Sequence, residues 1–268
     1  MNQASDPNSA AGVTERYDRD AGAYESEWAP VLRKAGLVLL RELASGSPKR
    51  ILDVGTGVGT LLPELKQLFP HSVIGGVDRS TGMLSRAPRG FGLARMDAQT
   101  LGVASDSCDL VLMVFMLFIL DEPARALQEA RRVLSPNGRL GCTTWGEEME
   151  SRANRVWLDC LDAHGASPAD PEADRRHARM NTPAKLSDLL ESVGFTDVRA
   201  WKGELSHTYD LDSFLQTKTA MGSSRTRLES LNPDARETCL AAARRSLGAL
   251  DSTDFVARSG VIFAIARR

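Results

Sequence analysis

The sequence predicts an α/β doubly wound sheet, and three observations carry that prediction. An apolar run breaks into glycines at every second position, Ile51-Leu-Asp-Val-Gly-Thr-Gly-Val-Gly-Thr60, and passes at once into the helical pattern Leu61-Leu-Pro-Glu-Leu-Lys-Gln-Leu68. A second apolar run, Ser72 to Val77, ends on Asp78; strand, helix and strand within roughly 30 residues is the parallel crossover unit. Strand and helix patterns then alternate through the first five strands, the signature of a sheet covered by helices on both faces.

Residues 1 to about 13 are small and polar and read as a frayed arm. From Thr14 to Leu43, Tyr17, Ala21, Tyr24, Trp28, Val31, Leu32, Leu37 and Leu40 recur at helical spacing, predicting two helices separated near Pro30. Ser45-Gly-Ser-Pro48 turns into the first strand, Arg50 to Val54. After the glycine turn, its helix and the second strand, Ser80-Thr-Gly-Met-Leu84 opens a short helix, and Phe91 to Met96 is a weak third strand ending at Asp97-Ala98. Asp109 to Leu117 is a continuous apolar run, as in a central strand covered on both faces. Asp121 to Leu134 is an amphipathic helix with Ala124, Leu127, Ala130, Val133 and Leu134 apolar. Pro136-Asn-Gly138 turns the chain into a fifth strand, Arg139 to Trp145.

From Gly146 to about Thr182 a charged segment interrupts the alternation, with a helix around Ser151 to His164 and a polar stretch from Ala166 to Arg179; an insertion over the carboxyl ends of the strands is expected. Pro183 to Val193 is a helix, Phe195 to Trp201 a sixth strand, Leu211 to Met221 and Asp234 to Leu250 helices, and Gly260 to Ala266 the last strand. No second core is visible. The expectation is one domain over 1–268, with a helical lid at 14–45, a core at 46–145, an insertion and helix at 146–194, and C-terminal strands with a helical insertion at 195–268.

Bulk properties exclude several classes. A net charge of −2 and a pI near 6.1 provide no field that would draw the chain to nucleic acid or to an anionic membrane. Cys108, Cys142, Cys160 and Cys239 form no C-x-x-C pair, so a reducing, cytoplasmic setting without structural zinc or another metal is expected. The amino-terminal residues lack a signal-peptide pattern, and Leu110 to Leu120 is too short to span a bilayer. The oligomeric state reads as monomer or homodimer.

The glycine turn carries the chemistry. Without Cβ atoms on one side, a ligand can lie against bare backbone while the helix start presents unpaired N–H groups. The glycines are Gly55, Gly57 and Gly59, with Thr60 where a dinucleotide fingerprint needs its third glycine, and no Gly-Lys-Ser/Thr follows as a phosphate loop requires. Asp78 lies 19 residues beyond Gly59 at a strand end, where a carboxylate can accept from both hydroxyls of a ribose.

The pattern Asp53-x-Gly55-x-Gly57-x-Gly59 resembles motif I of the class I S-adenosylmethionine-dependent methyltransferases. Leu52, Asp78 with Ser80 and Met83, Asp97-Ala98, Asp109 and Leu134-Ser-Pro-Asn-Gly-Arg139 extend the likeness over roughly residues 14 to 145. Together they are similar to the small-molecule type of the ubiquinone and menaquinone biosynthesis group. That resemblance implies a Rossmann-like seven-stranded sheet in the order 3-2-1-4-5-7-6 with strand 7 antiparallel, S-adenosyl-L-methionine as cofactor, and a lid from the helices bearing Tyr17 and Tyr24. It implies that Gly55 and Gly57 touch the methionine part and sugar, that Asp53 reaches toward the amino end and that Asp78 holds the ribose. Met83 would pack on the adenine, and Asp97 and Ala98 would address its nitrogens; Thr56, Arg79, Tyr17 and Phe115 complete the candidate cofactor set. Where relatives carry a polar pair and then two histidines after the fourth strand, this chain has Met113-Val114 and Phe118-Ile119, so no catalytic group is assigned there.

Methyl transfer from a sulfonium is an in-line displacement, served mainly by positioning and exclusion of water. No acid or base is obligatory, and His164, His177 and His207 are the only histidines on the acceptor side. The candidate acceptor residues are Tyr24, Trp28, Met116, Phe118 and Trp145, an apolar lining suited to a small hydrophobic or aromatic molecule methylated on O, N, S or C. Two other readings stay open: a protein of this fold using the cofactor for cyclisation or another non-methylating reaction, and a nicotinamide-dependent oxidoreductase, against which Thr60 and the absence of Tyr-x-x-x-Lys count.

Overall fold

The computed structural model describes residues 10–268. The frayed-arm expectation lies outside the described residues for 1–9, and Ala10–Ala23 already form a helix (α1). A π-helical turn, Tyr24–Trp28, carries α1 into Ala29–Leu43 (α2), with the Ala29 N–H bonded five residues back to Tyr24 O. Pro30 explains its place: a proline has no N–H to continue the ladder, and one extra residue per turn absorbs the mismatch. The two helices expected around Pro30 are therefore one bulged rod.

The chain then alternates: Arg50–Val54 (β1), Leu62–Leu68 (α3), Val73–Asp78 (β2), Thr81–Leu84 (α4), Gly92–Arg95 (β3), Cys108–Val114 (β4), Pro123–Val133 (α5) and Leu134–Met149 (β5). It continues with Arg152–Ala163 (α6), Pro171–Ala178 (α7), Pro183–Ser192 (α8), Thr196–Thr208 (β6), Leu211–Ala220 (α9), Gly222–Glu229 (α10), Pro233–Leu247 (α11) and Val256–Arg267 (β7). The seven strands form one sheet in the order β3-β2-β1-β4-β5-β7-β6, with β7 antiparallel to both neighbours and the others parallel, as the resemblance implied.

Successive strand residues serve opposite faces. Leu52, Val54, Val111 and Met113 pack against Leu127 of α5 and Leu186 of α8, whereas Ile51, Leu110 and Leu112 meet Leu39 of α2 and Leu62 of α3. A third cluster, with Trp157, Phe214, Cys239 and Leu247, joins α6, α9, α10 and α11. Among the described residues no helix is long and apolar enough to cross a membrane.

Several element bounds differ from expectation. β5 begins at Leu134, and Pro136 to Gly138 is an irregularity within it, marked by Asn137 at φ 65°. β6 runs seven residues past its expected end at Trp201, through Lys202, Glu204 and His207; as an outer strand it shows polar residues to solvent and lacks an apolar run. The short helices α7 and α10 are polar sequences that each bury one arginine. Arg176 is 8% exposed beside Asp121 and Asp170, and Arg227 is 7% exposed, donating to Asp162 and to Ser167 O.

The amino-terminal rod is fastened across the sheet's carboxyl edge. The Asp18 carboxylate accepts from Ser80 Oγ at 2.6 Å and from Gly82 N at 2.7 Å, capping α4. A Cβ on Gly82 would stand 2.5 Å from the carbonyl oxygen of Asp18, so only glycine permits this approach. Burial alone would raise the Asp18 carboxyl, but the bonds from Ser80, Gly82 and Thr81 hold it below its ordinary value. Asp20, 4% exposed, accepts from Arg225 of α10 at 2.8 Å and from Arg19 at 2.9 Å. Arg225→Ala leaves that buried carboxylate underpaired and is expected to cost about 1–3 kcal/mol, at roughly 2–4 °C of Tm per kcal/mol. A thermal scan giving the wild-type midpoint would remove this fastening from the fold's stability.

Candidate cofactor site

A cleft enclosing about 740 Å³ of open space lies where the carboxyl ends of β1, β2 and β4 face the amino-terminal rod. Of the candidate cofactor residues, Tyr17, Gly55, Gly57, Asp78, Arg79, Met83, Asp97, Ala98 and Phe115 line it. Asp53 and Thr56 line a neighbouring recess of about 380 Å³ that shares Tyr24, Gly55 and Phe115 with the cleft.

The turn after β1 takes its shape from three left-handed residues, Gly55 at φ 72°, Gly57 at φ 56° and Gly59 at φ 71°. Their surroundings differ. A Cβ on Gly59 would meet Pro88 Cδ at 2.7 Å and Ala87 Cβ at 2.9 Å, whereas one on Gly57 would meet nothing nearer than the Tyr24 ring at 3.7 Å. Gly59 thus serves packing, and Gly57 leaves a bare edge on the cleft. Four N–H groups of the turn are bonded within the chain: Gly55 N and Thr56 N both donate to Val77 O, Gly57 N to Asp78, and Gly59 N to Thr56 O. These four donors are directed at β2 and at the turn itself.

Asp78 is the polar centre. Its Oδ2 accepts from Gly57 N at 2.9 Å and its Oδ1 from Ser80 N at 2.8 Å. The backbone N–H of Arg79 also bonds this carboxylate, and of the roughly four acceptor positions that two carboxylate oxygens offer not all are taken. Burial pushes the Asp78 carboxyl up, against the bonds from Ser80 and Gly57. Asp97 accepts from Gln99 N at 2.9 Å and faces Arg79 at 3.3 Å, at the far end of the cleft beside Met83 and Ala98.

Asp53, 3% exposed, accepts from Thr56 Oγ1 at 2.7 Å. Burial, with the nearby Asp78, pushes its carboxyl up to about 7 against the Thr56 bond. A folded-state value above the ordinary 3.8 stabilises the fold fully below that value, and the stabilisation is lost as pH rises through about 7. Stability of the ligand-free protein is therefore expected to fall between those limits, with a shallower slope in Asp53→Asn; equal slopes in denaturant titrations would refute the assignment.

Tyr17 and Tyr24 come from the rod, edge to face at 6.2 Å, and burial raises both phenols. Opposite them, Phe115 sits at φ 52°, its N–H held by Thr143 O at 3.0 Å and Thr143 Oγ1 at 3.2 Å. A non-glycine residue in that region is strained, as is common beside functional sites.

The expected acceptor residues do not gather in one place. Tyr24 and Met116 line the cleft, but Trp28 and Trp145 line a separate recess. Phe118 lines neither: the 3₁₀ turn Leu117–Ile119 aims its ring edge-on at His177, 6.2 Å away. His164 Nδ1 lies 2.7 Å from Cys160 O at the end of α6, His177 Nε2 lies 3.1 Å from Trp145 O, and His207 lines the recess with Trp28. Cleft residues missed in the sequence include Val13, Thr14, Met96, Ile119 and Leu120. All but Thr14 are apolar, and nothing local separated them from core.

The profile of the methyltransferase domain matches residues 20–200. The chain is 35% identical over 150 residues to the malonyl-[acyl-carrier protein] O-methyltransferase of Hahella chejuensis, covering 54% of this chain and 53% of that protein. It is 34% identical over 115 residues to the ubiquinone/menaquinone biosynthesis C-methyltransferase of Syntrophotalea carbinolica, covering 40% of this chain and 48% of that protein. The chain thus spans about half the length of these two curated relatives. The fold is shared with the phosphoethanolamine N-methyltransferase 2 of Haemonchus contortus, solved with phosphomonomethylethanolamine and S-adenosylhomocysteine: TM-score 0.54, 17% identity, 93% of this chain and 57% of that one. With the profile covering most of the chain and the sheet order in agreement, the chain belongs to the methyltransferase-domain family.

Proposed function

We propose that S-adenosylmethionine occupies the cleft beneath Tyr17 and Tyr24, and that its methyl group passes to a small, largely hydrophobic or aromatic acceptor. The observation that carries this reading is Asp78, fixed by Gly57 N and Ser80 N beside the bare edge at Gly57. The residues fit the group. Asp78 has acceptor capacity left for the hydroxyl edge of the ribose, Met83 and Ala98 give an apolar bed for the adenine, and Asp97 supplies an acceptor for its amine. Asp53, with Thr56 at its side, is placed for the methionine ammonium. When bound, the cofactor supplies an activated methyl on sulfur.

The chain's own part is to hold and to dry. Tyr17, Tyr24 and Phe115 close the cleft from water, and the fastened rod over residues 14–45 acts as the lid; positioning of this kind is worth as much as ~7–11 kcal/mol. The relatives' names speak of O- and C-methylation on carrier-bound and quinone acceptors. For this chain the aromatic residues beyond Phe115 support a free aromatic molecule.

Calorimetry with S-adenosylhomocysteine tests the cofactor assignment, and absence of binding to clean protein would sink it. Because Asp53 is protonated below about pH 7 in the ligand-free state, binding of an ammonium there must release that proton. Affinity is expected to fall by up to about tenfold per pH unit below that point and to level off above it. Asp53→Asn abolishes the dependence; a flat wild-type profile would move the ammonium elsewhere.

A further inference from the structure

A recess of about 620 Å³ beyond the cleft serves none of the roles above. It lies over the carboxyl end of β5 and against β6, β7, α6 and α9, and its walls include Trp28, Trp145, His207, Tyr209, Phe214 and Lys218. The rings form a linked surface: Trp28 meets Trp145 at 6.3 Å, His207 meets Tyr209 at 4.3 Å, and Tyr209 meets Phe214 at 5.9 Å. Trp145 also packs on Phe115, with centroids 4.4 Å apart. Since Phe115 lines the cleft and Trp145 the recess, this pair of tilted rings links the walls of the two spaces.

Two polar features distinguish the recess from ordinary core. The indole N–H of Trp28 is buried with no hydrogen-bond partner, an arrangement that an incoming acceptor atom would complete. His207 is half-buried, and neither of its ring nitrogens is hydrogen-bonded among the described residues. Burial, with the Lys34 ammonium nearby, lowers its pKa and keeps the ring in its basic form at neutral pH. On the opposite wall the Lys218 ammonium donates to Asn154 Oδ1 at 2.6 Å and lies over the Phe214 ring. Flat apolar walls, an unanswered donor and a neutral imidazole together match a flat molecule that carries an acidic hydroxyl.

We propose that this recess is the acceptor site, that the acceptor is a planar hydroxylated aromatic, and that His207 takes the hydroxyl proton. The proposal rests on the reading of the neighbouring cleft as the cofactor's. In the step, the acceptor oxygen forms a bond to the methyl carbon as the carbon–sulfur bond breaks, its electron pair staying on sulfur. The hydroxyl proton moves to an imidazole nitrogen of His207 and then to solvent. The products are a methyl ether, S-adenosylhomocysteine and a proton.

The test uses the full chain saturated with S-adenosylhomocysteine and titrated with 2-naphthol by calorimetry, and then turnover with S-adenosylmethionine. Binding is expected in the wild type and weakened about tenfold or more in Trp28→Ala and in Tyr209→Ala, with S-adenosylhomocysteine affinity retained as proof of folding. His207→Ala is expected to slow formation of 2-methoxynaphthalene about 10²–10⁴-fold while nearly sparing 4-nitrophenol, which is ionised at mildly alkaline pH and has no proton to give. His164→Ala leaves both unchanged. The proposal is overturned if 2-naphthol does not bind the loaded protein, if it binds both recess variants as it binds the wild type, or if His207→Ala slows both phenols alike. Failure of S-adenosylhomocysteine itself to bind would instead overturn the cofactor reading.

Discussion

Asp78→Asn is expected to weaken S-adenosylhomocysteine binding by about 30- to 1000-fold, a loss of about 2–4 kcal/mol. On the proposed assignment the carboxylate offers charged acceptors to the ribose, and hydrogen bonds to charged groups are worth about 1.5–3 kcal/mol each, more than neutral ones. The amide keeps one oxygen and sets an N–H₂ against either Gly57 N–H or Ser80 N–H, which in the wild type donate to the two oxygens of this side chain at 2.9 Å and 2.8 Å. The fold loses little by this, since the buried carboxylate is itself costly to ionise. Asp78→Ala would strand both N–H groups and lower the melting temperature as well, so the asparagine is the cleaner probe. Calorimetry showing affinity within threefold of wild type would remove Asp78 from the site.

Gly59→Ala is expected to cost about 2–5 kcal/mol of stability. A left-handed backbone at φ 71° penalises any residue with a Cβ by about 1–2 kcal/mol. The new Cβ would also stand 2.7 Å from Pro88 Cδ and 2.9 Å from Ala87 Cβ, and overpacking of rigid neighbours adds about 1–3 kcal/mol. Gly57→Ala carries only the backbone part, because the space above it is open to Tyr24 at 3.7 Å. Urea denaturation curves for the two variants should therefore separate clearly; matching midpoints would mean that the packing contact yields.

Much of the sheet and of the cleft was legible because the signals are local. The run from Ile51 to Thr60, the carboxylate at Asp78 and the apolar stretch of β4 each hold their information within a few residues. What escaped depends on distant partners. β6 past Trp201 has no apolar run because only β7 pairs with it, and α7 and α10 owe their place to Arg176 and Arg227, whose carboxylates Asp121 and Asp162 lie on other elements. The split of the acceptor residues was equally hidden. Phe118 follows a strand end as Phe115 does, but a 3₁₀ turn sends it to α7. Trp28, Trp145 and His207 meet only through the crossing of the rod over the sheet.

That rod has one more consequence. Tyr17, Tyr24 and Trp28 stand on a single helical element without a loop between them, the first two over one space and the third over the other. With donor and acceptor seated as proposed, an outward swing of the rod would unroof both spaces together, and the two ligands would share one conformational equilibrium. By thermodynamic reciprocity, whatever factor the methyl donor adds to acceptor affinity the acceptor must return to the donor. On that assignment binding would be cooperative between unlike ligands within one chain, with the first to arrive bearing the cost of closing the roof for the second.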